Sequence, residues 1–329
     1  MTFKSHLKKL SPVTIAFLLL FSCSKEDFTG NEPETDRPPL FVAGYLPYYG
    51  FDRFDTDMLP HLDRLYYFSV YPDNEGNYQM PDLQRENIEF LRSGLTGTET
   101  ELFIVLGGWY ESENIFPMAA SLIKRENYVQ SLIEFCLEND IDGIDLDWES
   151  YPEKVPQNDY LALIDLLSSG LKKHNLKFTV AIAPSQYDLS ALFFQKVDQL
   201  NIMSYGILDN NGNQVTMTQL TDWLIKFDYA QIPRSKMIVG VPFYGKRPIE
   251  EGNNTPRSVI YSYIVDQISP GPFMNKYENY GFNGRKLMET KTEYLRKYSY
   301  YGIMAWELTQ DAPYNSDFSL MRTIVNEAR

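Results

Sequence analysis

Asp145, Asp147 and Glu149 alternate with Ile144, Leu146 and Trp148 in the stretch DGIDLDWE, residues 142–149. Successive side chains of a strand point to opposite faces, so three carboxyls share one face, about 6 to 7 Å apart, and three apolar groups take the other. Turning three carboxylates into a packed interior is costly unless protons are shared or hydrogen bonds supplied. Repulsion and partial burial raise the pKa of at least one member. A carboxylic acid still protonated near neutral pH can protonate a leaving-group oxygen, the step that opens a glycosidic bond. The plainer alternatives are a solvated acidic strand and a calcium site built from Asp oxygens; the wholly apolar opposite face argues against both.

A strand of this kind needs a scaffold that buries both faces. Eight short apolar segments recur along the chain: FVAGY (41–45), RLYYFSV (64–70), LFIVLGG (102–108), GIDLDWE (143–149), KFTVAIA (177–183), QLNIMSY (199–205), MIVGVPFY (237–244) and YGIMAWE (301–307). Between them lie stretches with helical spacing, among them Tyr128–Glu138, Asp159–His174 and Met217–Phe227. Strands alternating with helices predict a parallel sheet, and a count of eight predicts a single (β/α)8 TIM barrel of the α/β class. Chemistry in such barrels sits at the C-terminal strand ends. Those ends carry Tyr45, then Gly107, Gly108 and Trp109, then Glu149, Met203 and Tyr205, Tyr244, and Trp306 with Glu307.

These residues resemble glycoside hydrolase family 18, whose fourth-strand signature D-x-x-D-x-D-x-E is met by Asp142, Asp145, Asp147 and Glu149, with Tyr151 and Pro152 following. The resemblance spans Phe41 to about Asp311. It implies that Glu149 protonates the glycosidic oxygen, that Asp147 orients and charge-stabilises the substrate's 2-acetamido group, and that Asp145 tunes Asp147. The acetamido oxygen then attacks the anomeric carbon, so no separate enzyme nucleophile is expected. Met203 and Tyr205 match the sixth-strand M-x-Y, which implies a Tyr hydroxyl on the acetamido oxygen. Trp306 matches the Trp that floors the sugar site, where a ring stacks on a pyranose face. Tyr45, Gly108, Trp109 and Tyr244 fall where the family contacts the same sugar. Two positions depart from the pattern. Val105 replaces the Ser of S-x-G-G, removing a hydroxyl expected near Asp142 and Asp145, and Gly206 replaces an Asp that often follows the Tyr.

The resemblance implies a retaining, chitinase-like hydrolase of β-linked N-acetylglucosamine acting on chitooligosaccharides. An endo-β-N-acetylglucosaminidase acting on N-glycans is the alternative in the same chemistry, and an inactive sugar-binding lectin the alternative in another class. The lectin reading is disfavoured because Glu149 is present. Only 56 residues separate Tyr244 from Tyr301, so the insertion domain that deepens the cleft in many relatives is expected to be absent or much reduced.

The N-terminus reads as export. Lys4, Lys8 and Lys9 precede the apolar run Val13 to Phe21, too short for the roughly 20 residues of a membrane span. The run closes on Leu20, Phe21, Ser22 and Cys23, an ending that resembles a bacterial lipobox and implies acylation of Cys23. Residues 1–22 are therefore expected to be a lipoprotein signal peptide, 23–39 a lipidated Cys with a flexible acidic tether, and 40–329 the catalytic domain. The tether is polar and Pro-rich, with too little apolar surface to offset ordering. This places the chain in the bacterial cell envelope, lipid-anchored to a membrane, with SKED (24–27) resembling a surface-export signal of the outer membrane. The formal charge of −14 becomes −17 once the three Lys of the signal are gone, which disfavours nucleic acid as a partner. Cys136 sits in an apolar helical pattern and reads as a core thiol. The three His lack metal-ligand spacing. No cofactor and no metal are expected, and the chain is expected to be a monomer.

Overall fold

The computed structural model describes residues 38–70, 73, 81–108, 119–148, 156–249 and 257–329. Eight parallel strands close on one another: β1 (Phe41–Pro47), β2 (Arg64–Val70), β3 (Glu101–Gly107), β4 (Gly143–Asp147), β5 (Lys177–Ile182), β6 (Gln199–Ile202), β7 (Met237–Pro242) and, last in the chain, β12 (Gly302–Trp306). Their order around the barrel is β1-β12-β7-β6-β5-β4-β3-β2, all pairs parallel. The fold is thus the (β/α)8 barrel expected. Both faces of each strand are covered, which is why the segments read as apolar runs rather than as alternating ones.

Two apolar layers result. Inside the lumen, Ala43, Tyr45, Tyr66, Phe68, Phe103, Val105, Ile238 and Met304 form one cluster. Outside, Ile144, Leu146 and Trp148 join the larger layer between strands and helices. Helices Leu122–Glu138, Gln157–Lys173 and Met217–Tyr229 supply its other side with Leu132, Leu163, Leu167, Leu220 and Leu224. Cys136 is fully buried among them as a free thiol. The helix at 217 starts on a capping box, in which Thr216 accepts from the Gln219 amide while Gln219 accepts from the Thr216 amide.

The bottom of the lumen is closed by Arg64, which has no solvent exposure. Its Nε donates to Glu101 at 2.7 Å, its guanidinium lies 4.0 Å from the Phe103 ring centre, and it donates to Tyr66 and Gln199 at 3.0 and 3.1 Å. A buried guanidinium is tolerated only with such partners.

Two sequence expectations change here. β7 ends at Pro242, and Tyr244 opens a separate strand, because the chain leaves the barrel to pair antiparallel with 258–260. Asp142 lies outside the lumen: its carboxylate accepts from the Leu102 amide at 2.7 Å and from Arg92 at 3.2 Å. A hydroxyl at lumen-facing Val105, which pairs with Asp145, would therefore serve Asp145 and not Asp142.

The excursion after β7 is small. Strands β8 (Tyr244–Lys246), β9 (Ser258–Ile260), β10 (Lys276–Tyr277) and β11 (Tyr280–Gly281) form a four-stranded antiparallel sheet with one helix, Tyr261–Ile268. The insertion is thus much reduced, as its 56-residue span implied.

Candidate active site

Asp145 and Asp147 both point into the barrel from β4, as strand alternation requires. Asp145 is fully buried and fully partnered. It accepts from Thr179 Oγ1 at 2.6 Å, from Tyr45 Oη at 2.7 Å and from Asn201 Nδ2 at 2.9 Å. Thr179 stands directly opposite it in the β4–β5 register. Burial pushes the Asp145 carboxyl up to about 6, against the pull of the Thr179, Tyr45 and Asn201 hydrogen bonds and of Arg64. Burial and the nearby Asp145 push the Tyr45 phenol well above its ordinary value, so it remains a proton donor.

These groups join the barrel floor to the site in one column. Arg64 donates to Tyr66 Oη, Tyr66 donates to Asn201 Oδ1 at 3.2 Å, and Asn201 Nδ2 donates to Tyr45 Oη at 2.9 Å as well as to Asp145. Sequence reasoning missed Arg64, Tyr66, Thr179 and Asn201. A signal was present, since Thr179 and Asn201 are polar interruptions of apolar strands.

Asp147, buried at the top of β4, opens onto a cleft of about 360 Å³ lined also by Ala183, Pro184, Met203, Tyr205, Gly206, Ile207, Tyr244, Lys246 and Trp306. Five residues singled out in the sequence, Asp147, Met203, Tyr205, Tyr244 and Trp306, thus share one wall system, and Tyr45 and Asp145 lie beneath it. Trp306 is half-buried and boxed by rings: Phe68 edge-on at 4.9 Å, Tyr45 tilted at 5.4 Å and Tyr205 stacked at 6.2 Å. Its remaining surface offers a flat apolar face to the cleft.

Gly108 is not on that lining. Its amide donates to the Asp147 carbonyl at 2.8 Å, its φ is +107°, and a Cβ there would lie 2.4 Å from Phe68 Cζ, so backbone geometry explains the glycine. Glu307 also turns away, accepting from the Thr309 amide and hydroxyl at 2.8 and 2.9 Å. Gly206 has φ +74°, and a Cβ would meet Tyr244 Oη at 3.0 Å and Lys246 Nζ at 3.4 Å. Lys246 donates to the Gly206 carbonyl. Position 206 thus carries no side chain, and its backbone is held by Gln214 and Lys246. Glu149, Trp109 and Cys23 lie outside the described residues.

The Asp145 carboxyl has a consequence for stability. With its pKa at about 6 in the fold against 3.8 for the ordinary group, the folded chain holds a proton that the unfolded chain lacks between those pH values. This group therefore adds stability as pH falls from about 6 towards 4 and withdraws it as pH rises through the same window. Asp145→Asn removes the linkage. The excess of the wild-type melting temperature over that of the variant should be larger at pH 5 than at pH 7.5 by about 2 °C, from roughly 1 kcal/mol. An excess that does not change with pH would place the folded-state pKa at its ordinary value.

Comparison with known proteins agrees with the geometry. Residues 2–311 match the model of glycosyl hydrolases family 18. An endochitinase of Manduca sexta is 22% identical over 344 residues, covering 80% of this chain and 60% of its own length. The chain spans about 60% of the length of such curated relatives. A chitinase from Bacteroides thetaiotaomicron superposes with a TM-score of 0.74 at 21% identity, covering 88% of this chain and 96% of its own. A chitinase from the chitin utilization locus of Flavobacterium johnsoniae gives 0.73 at 20% identity, over 89% and 94% of the two chains. With the family model spanning nearly the whole chain and an eight-stranded barrel whose fourth strand turns Asp145 and Asp147 inward, the chain belongs to glycosyl hydrolases family 18.

Proposed function

We propose that this chain hydrolyses β-linked N-acetylglucosamine by substrate-assisted catalysis, in the manner of a chitinase. The observation that carries the reading is Asp147 opening onto a cleft floored by Trp306 and flanked by Tyr205 and Tyr244. The sugar at the cleavage point stacks on Trp306, and its 2-acetamido group lies between Asp147 and the Tyr205 hydroxyl. The acetamido carbonyl oxygen attacks C1 while the C1–O glycosidic bond breaks, and the proton of Glu149 goes to the leaving oxygen. Asp147 stabilises the positive charge that develops on the cyclic oxazolinium intermediate. Water then adds to C1 from the face the leaving group vacated and gives its proton to Glu149. The ring reopens to the acetamide, and the configuration at C1 is retained.

A second reading within the same chemistry is cleavage between the two core N-acetylglucosamines of an N-glycan. It is favoured by the small lobe after β7, four short strands and one helix where many relatives carry a larger insertion. Chitooligosaccharides and a high-mannose glycoprotein, incubated side by side with the protein, separate the two by their products. Release of short N-acetylglucosamine oligomers supports the first reading, and deglycosylation alone supports the second. Binding of either substrate without cleavage would make the protein a lectin and sink both.

A further inference from the structure

Gln214 is 1% exposed and lies in the loop that joins β6 to helix Met217–Tyr229, outside the cleft lining. Every polar atom of its side chain is committed to backbone. Oε1 accepts the Gly206 amide at 3.1 Å, while Nε2 donates to the Tyr244 carbonyl at 2.7 Å and the Gly281 carbonyl at 3.3 Å. One carboxamide thus ties together three segments from separate parts of the chain: the loop after β6, strand β8 and strand β11. Two of them present the cleft tyrosines, since Tyr205 precedes Gly206 and Tyr244 opens β8.

The clamp is itself anchored. The Gln214 carbonyl accepts from Asn283 Nδ2, and Asn283 Oδ1 accepts from Lys291 Nζ on helix Arg285–Lys297. Asn283 is 1% exposed and Lys291 not at all. A buried lysine spent on holding one amide is expensive in desolvation, and that amide in turn holds the Gln214 carbonyl.

We propose that Gln214, backed by Asn283 and Lys291, is a positioning residue that sets the separation of Tyr205 and Tyr244 across the cleft and thereby the affinity for the sugar bound between them. The part concerning sugar rests on the function proposed above; the clamp itself does not. Gln214→Met keeps size and apolar contact but removes the acceptor and both donor bonds. Gln214→Glu keeps the acceptor for Gly206 and sets a carboxylate oxygen against the Tyr244 carbonyl.

Two measurements on the full chain test the proposal. Hydrogen exchange followed by mass spectrometry reads the clamp without any ligand: peptides containing residues 244–246 should exchange about tenfold faster in both variants, and the Gly206 peptide about tenfold faster in Gln214→Met, for a loss of one to two neutral hydrogen bonds. Peptides of helix Leu122–Glu138 should not change. Steady-state kinetics on a chitooligosaccharide should show KM raised about tenfold with kcat within about threefold. Leu163→Ala, a core substitution on helix Gln157–Lys173, controls for general loss of stability and should leave KM within about twofold. Unchanged exchange at Gly206 in Gln214→Met overturns the proposal, as does a KM shift no larger in the Gln214 variants than in Leu163→Ala. If the wild type cleaves no sugar while exchange at Gly206 still accelerates, the clamp stands and the functional reading is what fails.

Discussion

Glu149→Gln should lower turnover of a chitooligosaccharide by at least about a thousandfold while leaving its dissociation constant within about threefold. The argument starts from β4, where Asp145 and Asp147 are turned inward and Ile144, Leu146 and Trp148 outward. Two residues beyond Asp147 in the sequence stands Glu149, the acid that closes the D-x-x-D-x-D-x-E signature. An amide has nearly the shape of the acid but no proton to give the leaving oxygen, and a positioned general acid is worth about 10² to 10⁴ in rate. In the proposed mechanism Glu149 also takes the proton of the incoming water, so the substitution should impair both halves of the reaction. With the nucleophile supplied by the substrate, as proposed, no enzyme carboxylate would be left to sustain a slower covalent route. Single-turnover kinetics beside calorimetric binding would read the two quantities separately. A variant that keeps more than a tenth of wild-type turnover would remove Glu149 from the role of acid. The wild-type rate should likewise fall at alkaline pH as Glu149 loses its proton, and a profile flat to pH 10 would contradict the assignment.

Asp147→Asn is expected to cost about a hundredfold in kcat, through charge rather than shape. The carboxylate opens onto the cleft at the point where the acetamido group would become a cationic ring. Opposing a developing charge in a site shielded from water is worth several kcal/mol, and one such group removed costs about 10² to 10³ in rate. A ring analogue of the oxazolinium ion, binding as a cation, should lose about a hundredfold in affinity to the variant, while an unreacted chitooligosaccharide loses less than about threefold. Equal losses for the two ligands would make Asp147 a ground-state contact only. Asp145→Asn should cost less in rate, because Asp145 already has Tyr45, Thr179 and Asn201 as donors and acts on the sugar only through its neighbour.

The barrel was legible in the sequence because parallel strands buried on both faces leave unbroken apolar runs, and eight of them have one common closed arrangement. The strand bearing the carboxylates was legible for the opposite reason, that Asp145 and Asp147 break the run with a period of two. What escaped depends on register. Thr179 reaches Asp145 because β5 pairs with β4 at those two positions, and no local pattern encodes which residues of neighbouring strands stand side by side. Tyr66 and Arg64 escaped because a Tyr or an Arg at a strand start has ordinary surface explanations until the lumen is seen to close around it. The boundary at Tyr244 was missed since MIVGVPFY is apolar throughout, whereas the break after Pro242 is made by a partner strand fourteen residues further on. Asp142 was placed beside the hydroxyl missing at Val105 by motif, although its even position puts it with Ile144 and Leu146 on the outer face.

The column from Arg64 to Asp145 is polarised in one sense. Each donor gives its hydrogen upward, from guanidinium to phenol, from phenol to amide, and from amide, phenol and hydroxyl to the carboxyl. Such an arrangement aims its positive ends at Asp145 and favours the charged form of that carboxyl against the burial that raises its pKa. Every group of that chain stands on a barrel strand. Substitutions in the loops above can therefore leave the partners of Asp145 as they are.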